Sequence, residues 1–200
     1  MREGKLMWLL ALVVAYLIGS IPTAYVVGRY LYGFDIRRRG SGNVGATNTL
    51  RTMGTIPGLV VLGVDALKGV LAVLLGQALG GPVLVILAAL MAIVGHNWSI
   101  FLEFQGGRGV ATTAGALLAM APLALFWAFL IWLAVVIFSR YISLGSIVAA
   151  AVAPFLVMYF HRPWPYVLFT FVAAALVIYR HRPNIKRLLA GTEHKLGERS

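Results

Sequence analysis

The sequence predicts an all-α polytopic membrane protein, and three observations carry that prediction. Hydrophobic residues make up 60% of the 200 residues and charged ones only 12%, about half the charged share of a soluble domain. Apolar runs long enough to cross a bilayer recur along the whole length. The polar remainder is gathered into a few short segments between those runs. No soluble module and no linker is left over, so residues 1–200 read as one integral-membrane domain.

Taken in order, spans are expected near 6–31, 56–79, 83–102, 110–121, 123–138, 143–160 and 164–180. The first follows a basic start, as a signal peptide does. It is longer than a signal peptide's apolar region and no A-x-A site follows it, so it is expected to be retained. Breakers separate the later spans: GGP at 80–82, Pro122, SRYIS at 139–143 and HRPWP at 161–165. The fourth span has twelve residues, which as a helix rise only about 18 Å against a hydrocarbon core of about 30 Å. The alternative is a single helix over 110–138, kinked at Pro122. The choice fixes parity. With seven spans the loop 33–55, the loop 103–109 and the C-terminal tail share one side; with six the tail lands opposite. The positive-inside rule favours all three basic segments in the cytoplasm. About seven spans, one short, are therefore predicted, with the N-terminus outside and the C-terminus cytoplasmic.

The net charge is +11. Arg37, Arg38, Arg39 and Arg51 flank the first loop, and Arg180, Arg182, Lys186, Arg187, Lys195 and Arg199 crowd the tail. In a soluble protein such clusters would suggest nucleic acid. In a membrane protein, orientation and anionic headgroups account for Arg37–Arg39, and no nucleic-acid partner is expected. The chain has no cysteine, which excludes disulfides and thiol catalysis. With six acidic residues in all, neither a dedicated divalent-metal site nor a cofactor is expected. The patterns G-x-S-x-G, H-E-x-x-H and H-x-x-x-x-D are absent.

Three polar segments remain: GSGNVGATNTLR (40–51), GHNWSIFLEFQGGRGVAT (95–112) and HRPNIKRLLAGTEHK (181–195). Gly40, Gly42 and Gly45 spell G-x-G-x-x-G. That pattern signals a dinucleotide only after a strand and before a helix in a βαβ unit, and an apolar run and FDIRRR precede it here. The other use of such loops fits better. Glycines let successive backbone N–H groups converge as an anion nest, and small residues opening a helix add unpaired N–H groups and a positive dipole end. Gly106, Gly107 and Gly109 lead straight into the fourth span. Ser41, Asn43, Thr47 and Asn48 can add donors, and Arg51 and Arg108 add charge in a form that suits phosphate oxygens.

Outside the loops, Asp65 and Lys68 lie within the second span, three apart on one helical face. They are either functional, as costly intramembrane charges usually are, or a buried pair that fixes helix packing. His96, near the inner end of the third span, is a candidate general base or a hydrogen-bonding packing residue. His181 and Asn184 stand at the mouth of the last span, where an anion or a substrate hydroxyl could bind. Glu193 is placed to cap or to pair with tail bases. Ser143 and Ser146, at the inner end of the sixth span, fit helix capping or a hydrogen bond at the site.

These three motifs, with D-x-x-K-G at 65–69 and SLGS at 143–146, resemble the acyl-phosphate-dependent glycerol-3-phosphate acyltransferases of bacteria over nearly the whole chain. The resemblance implies seven spans with the motifs on the cytoplasmic side of the inner membrane. It implies transfer of an acyl group from acyl phosphate to the 1-hydroxyl of sn-glycerol 3-phosphate, giving lysophosphatidic acid and phosphate. Carried across, the family's substrate-binding serine falls on Ser41 and its first-motif arginine on Arg51. The second-motif basic residue falls on Arg108, where lysine is more usual, so charge is kept and fork geometry changes. The His and Asn of the third motif fall on His181 and Asn184. The sequence offers no soluble module to hold coenzyme A or to dock an acyl carrier protein, and neither is expected as a partner. A transporter of phosphorylated metabolites would need the same anion sites together with access from both faces; crowding of the motifs on one face is against it.

Overall fold

The computed structural model describes residues 2–197 and is helical throughout, with ten α-helices among the described residues. Arg199, counted in the basic tail, lies outside them. In chain order the helices are α1 Arg2–Ser20, α2 Thr23–Leu31, α3 Ala46–Met53, α4 Thr55–Leu79, α5 Pro82–Asn97, α6 Val110–Met120, α7 Pro122–Ser139, α8 Ile142–Tyr159, α9 Trp164–Arg180 and α10 Arg182–Leu189. Four stretches are long and apolar enough to cross a membrane, or six if each bent pair, α1 with α2 and α9 with α10, is one span. The short apolar α6 stands where the sequence calls for its short fourth span.

Punctuation by proline and glycine explains most boundaries. Pro82 and Pro122 open α5 and α7 at a first-turn position, where the missing N–H costs nothing. Gly54, with φ of 98°, separates α3 from α4. One expectation needs correction. The first apolar run is not one helix over 6–31. It breaks at Ile21–Pro22 with a bend of 41°, because proline lacks an N–H and its ring clashes with the preceding turn. The third span, expected over 83–102, runs over Pro82–Leu102, its α-helix ending at Asn97. Beyond it the chain turns back, with Phe104 N–H donating to the Ser99 carbonyl (2.8 Å).

Described residues up to Ala116 form one compact unit, and those from Leu117 onward form a second. In the first, α1 packs on α5 and α4, α4 packs on α5, and α2 and α3 lie against α4. Small residues allow the close approach: Ala15, Ala72, Ala88 and Ala92 form one buried cluster. A second cluster, of Ala24, Ile36, Val44, Val61 and Leu102, sits under the two glycine loops. In the second unit α7 packs on α8, α8 on α9, and α10 touches both α8 and α9. Phe126, Trp127, Phe129, Ile137 and Phe138 of α7 are exposed, a continuous apolar surface that suits lipid and that a water-soluble protein would have to cover.

Candidate functional site

The first glycine loop is shaped from within. Asn48, 1% exposed, receives the Ser41 N–H on Oδ1 (2.9 Å) and donates from Nδ2 to the carbonyls of Arg39 (3.0 Å) and Asn43 (3.1 Å). Its amide is thereby committed to the loop's own backbone. Its task is to hold the loop's shape, which differs from the direct donor role expected for it. Gly40 and Gly42 have φ of 54° and 70°, values that favour glycine at both turns. The loop feeds α3, whose first full turn closes with Thr49 N–H on the Gly45 carbonyl (3.1 Å). The first-turn amides of Ala46, Thr47 and Asn48 therefore have no partner within the helix. Ser41, Gly42, Asn43 and Thr47 are partly exposed along this rim and Gly45 is buried beneath it.

The neighbouring arginines are sorted by their partners. Arg37 grips Asp35 through Nη2 (2.7 Å) and Nε (3.1 Å) and lies over the Tyr25 ring. This holds the Asp35 carboxyl below its ordinary pKa, the Arg37 hydrogen bond being the main cause. Arg39 lies over Phe34. Arg51 is half-buried on α3 and forms no ion pair among the described residues.

The second glycine loop lies against the first. Backbone bonds from Gly106 N–H to the Asn97 carbonyl (3.2 Å) and from Gly107 N–H to the His96 carbonyl (2.9 Å) close its base. A Cβ built on Gly107 would overlap His96 Nε2 and stand 2.9 Å from the Val44 carbonyl of the first loop, so glycine is required where the two loops meet. Gly109 follows, and α6 opens with Thr113 N–H on the Gly109 carbonyl (2.8 Å). Gly106 and Arg108 are half-buried and Gly107 and Gly109 buried. Beside the loops is a narrow recess whose lining includes Val44, Asp65, His96, Ser99, Gly106 and Gly107.

The same recess is lined by a buried polar cluster. Lys68 Nζ donates to Asp65 Oδ1 (2.5 Å) and to the Ile21 carbonyl (2.5 Å). Thr23 Oγ1 donates to the same Asp65 oxygen (3.0 Å), and His96 Nδ1 lies 3.8 Å from it. Sequence reading missed Ile21, Thr23, Ser20 and Ser99. The Ser20 carbonyl accepts from Ser99 Oγ (2.5 Å). The available signal was Pro22 inside an apolar run, since a proline break in a membrane helix frees carbonyls that must find donors.

In the second unit the third motif is organised by Glu193. Its Oε1 accepts from Ser143 Oγ (2.9 Å) and Asn184 Nδ2 (2.7 Å), and its Oε2 from Arg187 Nε (2.7 Å). A carboxylate only accepts, so the Asn184 amide must turn its NH₂ to Glu193. That leaves Asn184 Oδ1, buried and without a hydrogen-bond partner among the described residues, as an acceptor. His181 is 2% exposed and its Nδ1 lies 2.7 Å from the Val177 carbonyl; a carbonyl cannot donate, so Nδ1 carries the proton. Ser146 is not a cap but bonds back within its own helix, donating to the Ile142 carbonyl four residues earlier (2.9 Å).

Glu193 supports a pH prediction. Burial raises its pKa, but the hydrogen bonds from Asn184, Arg187 and Ser143 outweigh burial and hold it below the ordinary 4.5. A depressed carboxyl pKa gives stability that is complete above the unfolded value and is lost as pH falls through the folded one. Glu193→Gln should therefore melt below the wild-type protein at neutral pH, and the gap should shrink as pH falls below the ordinary 4.5. A gap that is constant from neutral to acid pH in thermal melts would show that the carboxylate's charge contributes nothing.

Comparison with known proteins places the chain in a family. A family model for glycerol-3-phosphate acyltransferase matches residues 9–191. A glycerol-3-phosphate acyltransferase of Synechococcus sp. (strain JA-3-3Ab) is 51% identical over 196 residues, covering 96% of each chain. One from Desulforamulus reducens is 44% identical, covering 92% of this chain and 93% of its own. A crystal structure of PlsY (YgiH), an integral membrane glycerol 3-phosphate acyltransferase in its glycerol 3-phosphate form, superposes with a TM-score of 0.91. Its identity is 39%, and the match covers 95% of this chain and 96% of that one. The lysophosphatidic acid form gives a TM-score of 0.87 at the same identity. With the motifs, the fold and relatives matched end to end, the chain belongs to the glycerol-3-phosphate acyltransferase family.

Proposed function

We propose that the protein transfers the acyl group of an acyl phosphate to the 1-hydroxyl of sn-glycerol 3-phosphate, yielding lysophosphatidic acid and inorganic phosphate. The observation that carries this reading is the meeting of two glycine loops in the first unit. Each opens a helix, each has a half-buried arginine, and one rests on the other at Gly107 and Val44. Such a pair suits two phosphates held side by side. Solved relatives in glycerol 3-phosphate and lysophosphatidic acid forms support the acceptor and the product.

In the reaction the glycerol 1-oxygen bonds to the acyl carbon, and the bond from that carbon to the phosphate oxygen breaks. Donors of the first glycine loop, with Ser41, Arg51 and Arg108, offset the charge on the carbonyl oxygen and on the departing phosphate; the Gly106 and Gly107 amides are spent on the Asn97 and His96 carbonyls. The proton of the attacking hydroxyl passes to a substrate phosphate oxygen. His96, the alternative base, is 8% exposed, with Nδ1 toward Asp65 and Nε2 against Gly107, a setting that suits support of the loop better than proton abstraction. In the second unit, Asn184 Oδ1 is an unpartnered acceptor that suits a hydroxyl donor. Ser143 and Glu193 steady that amide, and His181 completes the motif. The two units act as one acyltransferase domain of seven spans in the bacterial inner membrane. The N-terminus is outside, and the site and C-terminus are cytoplasmic.

One experiment tests donor and sidedness together. Sealed inside-out vesicles containing only this protein should convert acyl phosphate and externally added glycerol 3-phosphate to lysophosphatidic acid, also in the presence of a chelator. Acyl-CoA and acyl carrier protein thioesters should be inert, and right-side-out vesicles should not use external glycerol 3-phosphate. Robust turnover with acyl-CoA, or complete loss of activity in the chelator, would overturn the donor assignment. Equal activity in right-side-out vesicles would overturn the orientation.

A further inference from the structure

The proposal starts from the cost of the Asp65–Lys68 pair. Both side chains are 3% exposed on α4, a helix that is otherwise apolar enough to cross a membrane. Buried ion pairs seldom stabilise a fold more than apolar side chains of the same volume, and charged groups inside a membrane are more costly still. Packing of α4 alone does not need them, so their connections must account for their presence.

Those connections run in one direction. On one side the pair seizes the break between α1 and α2. Lys68 Nζ caps the Ile21 carbonyl, and Thr23 Oγ1 donates to Asp65. On the other side Asp65 Oδ1 lies 3.8 Å from His96 Nδ1. The opposite ring nitrogen, Nε2, fills the space that a Gly107 side chain would need. His96 and its neighbour Asn97 also supply the carbonyls that close the base of the glycine loop. Asp65, His96, Gly106 and Gly107 line the same recess. A chain of polar neighbours therefore runs from the helix break, through Asp65–Lys68, to the ring on which the second glycine loop rests, its last step an electrostatic approach of 3.8 Å. The negative carboxylate on the Nδ1 side favours the tautomer with the proton on Nδ1, which leaves Nε2 toward the loop as an acceptor.

We propose that Asp65 and Lys68 are positioning residues for the acyl transfer: through His96 they hold the Gly106–Gly109 loop in the shape that binds a substrate phosphate. This rests on the assignment of that loop as a phosphate holder. The pair touches no substrate. Its contribution is to ring orientation, and so to binding of the substrate whose phosphate the loop receives.

The test replaces the pair by apolar side chains of similar size, Asp65→Leu with Lys68→Met, so that neither charge is left buried alone. Thermal melts in detergent should show a protein about as stable as wild type. Steady-state kinetics should show KM for one phosphate substrate raised about tenfold with kcat changed far less, the pattern of lost binding. The ¹⁵N resonances of the His96 ring should shift as the neighbouring carboxylate charge is removed. A folded double variant with both KM values unchanged would overturn the proposal. Should the double variant not fold, Thr23→Val removes one hydrogen bond to Asp65 with little change of shape. It should raise the same KM severalfold, and unchanged KM values there would equally overturn the proposal. Failure of the underlying reading looks different: Arg108→Ala would then leave both KM values intact, whatever the pair does.

Discussion

Gly107→Ala should abolish most activity, with a fall of about 100-fold or more in acyl transfer. The cause is steric. Gly107 has no positive φ, so alanine is not excluded by backbone conformation. Its methyl group would overlap His96 Nε2 and press on the Val44 carbonyl at 2.9 Å. The first contact is with a ring held by its own buried surroundings, and the second is with the backbone of the other glycine loop. Neither yields cheaply, since overpacking a buried site costs typically 1–3 kcal/mol. The loop can relieve the clash only by moving off its partner, and a displacement of about 1 Å in a positioning element can lower rate about 100-fold. Gly63 supplies the control. It lies in α4 with nothing within 4 Å of a built Cβ, so Gly63→Ala should be neutral. Near-wild-type turnover of a folded Gly107→Ala protein in the vesicle assay would show that the two loops need not touch.

Arg51→Ala should lower kcat/KM by at least tenfold while leaving the melting temperature close to wild type. Of the arginines around the first loop, Arg37 is engaged by Asp35 and Tyr25 and Arg39 by Phe34. Arg51 has no such ion pair among the described residues and sits half-buried on the helix the loop opens. A guanidinium in that position can give two bonds to one phosphate. Charged hydrogen bonds are worth roughly 1.5–3 kcal/mol each, so loss of even one exceeds a factor of ten. Arg51→Lys should fall between, keeping charge without the fork. Unchanged kinetics in Arg51→Ala would return this arginine to the general role of basic residues at a cytoplasmic membrane face. Arg108→Lys should retain most activity, because the family resemblance favours lysine there.

What the sequence determined by itself was the class of fold and the places where the chain turns. Apolar runs of membrane length have one regular solution that satisfies their backbone, the helix. Helix starts at Pro82, Pro122 and Ile142 follow from local breakers that act on their own residues. The glycine loops were legible for the same reason. Gly40 and Gly42 turn the chain wherever the rest of the protein lies, and a helix opening after a glycine offers free amides without tertiary help.

Tertiary structure decided which polar groups are spent and which are left over. Asn48 resembles Ser41 and Asn43 as a donor in the sequence, yet three of its four hydrogen bonds described here hold the loop's backbone and the fourth reaches the Ile36 carbonyl. Glu193 is one acid in a basic tail until Ser143, 50 residues earlier, is seen donating to it. Asp65 and Lys68 announce a pair by their spacing of three, but not their hold on Ile21 and Thr23, more than 40 residues away. Periodicity and motif spacing report what a residue does within its own helix or turn. A buried polar group must also find a partner, and that partner is chosen by whichever distant segment packing brings within about 3 Å.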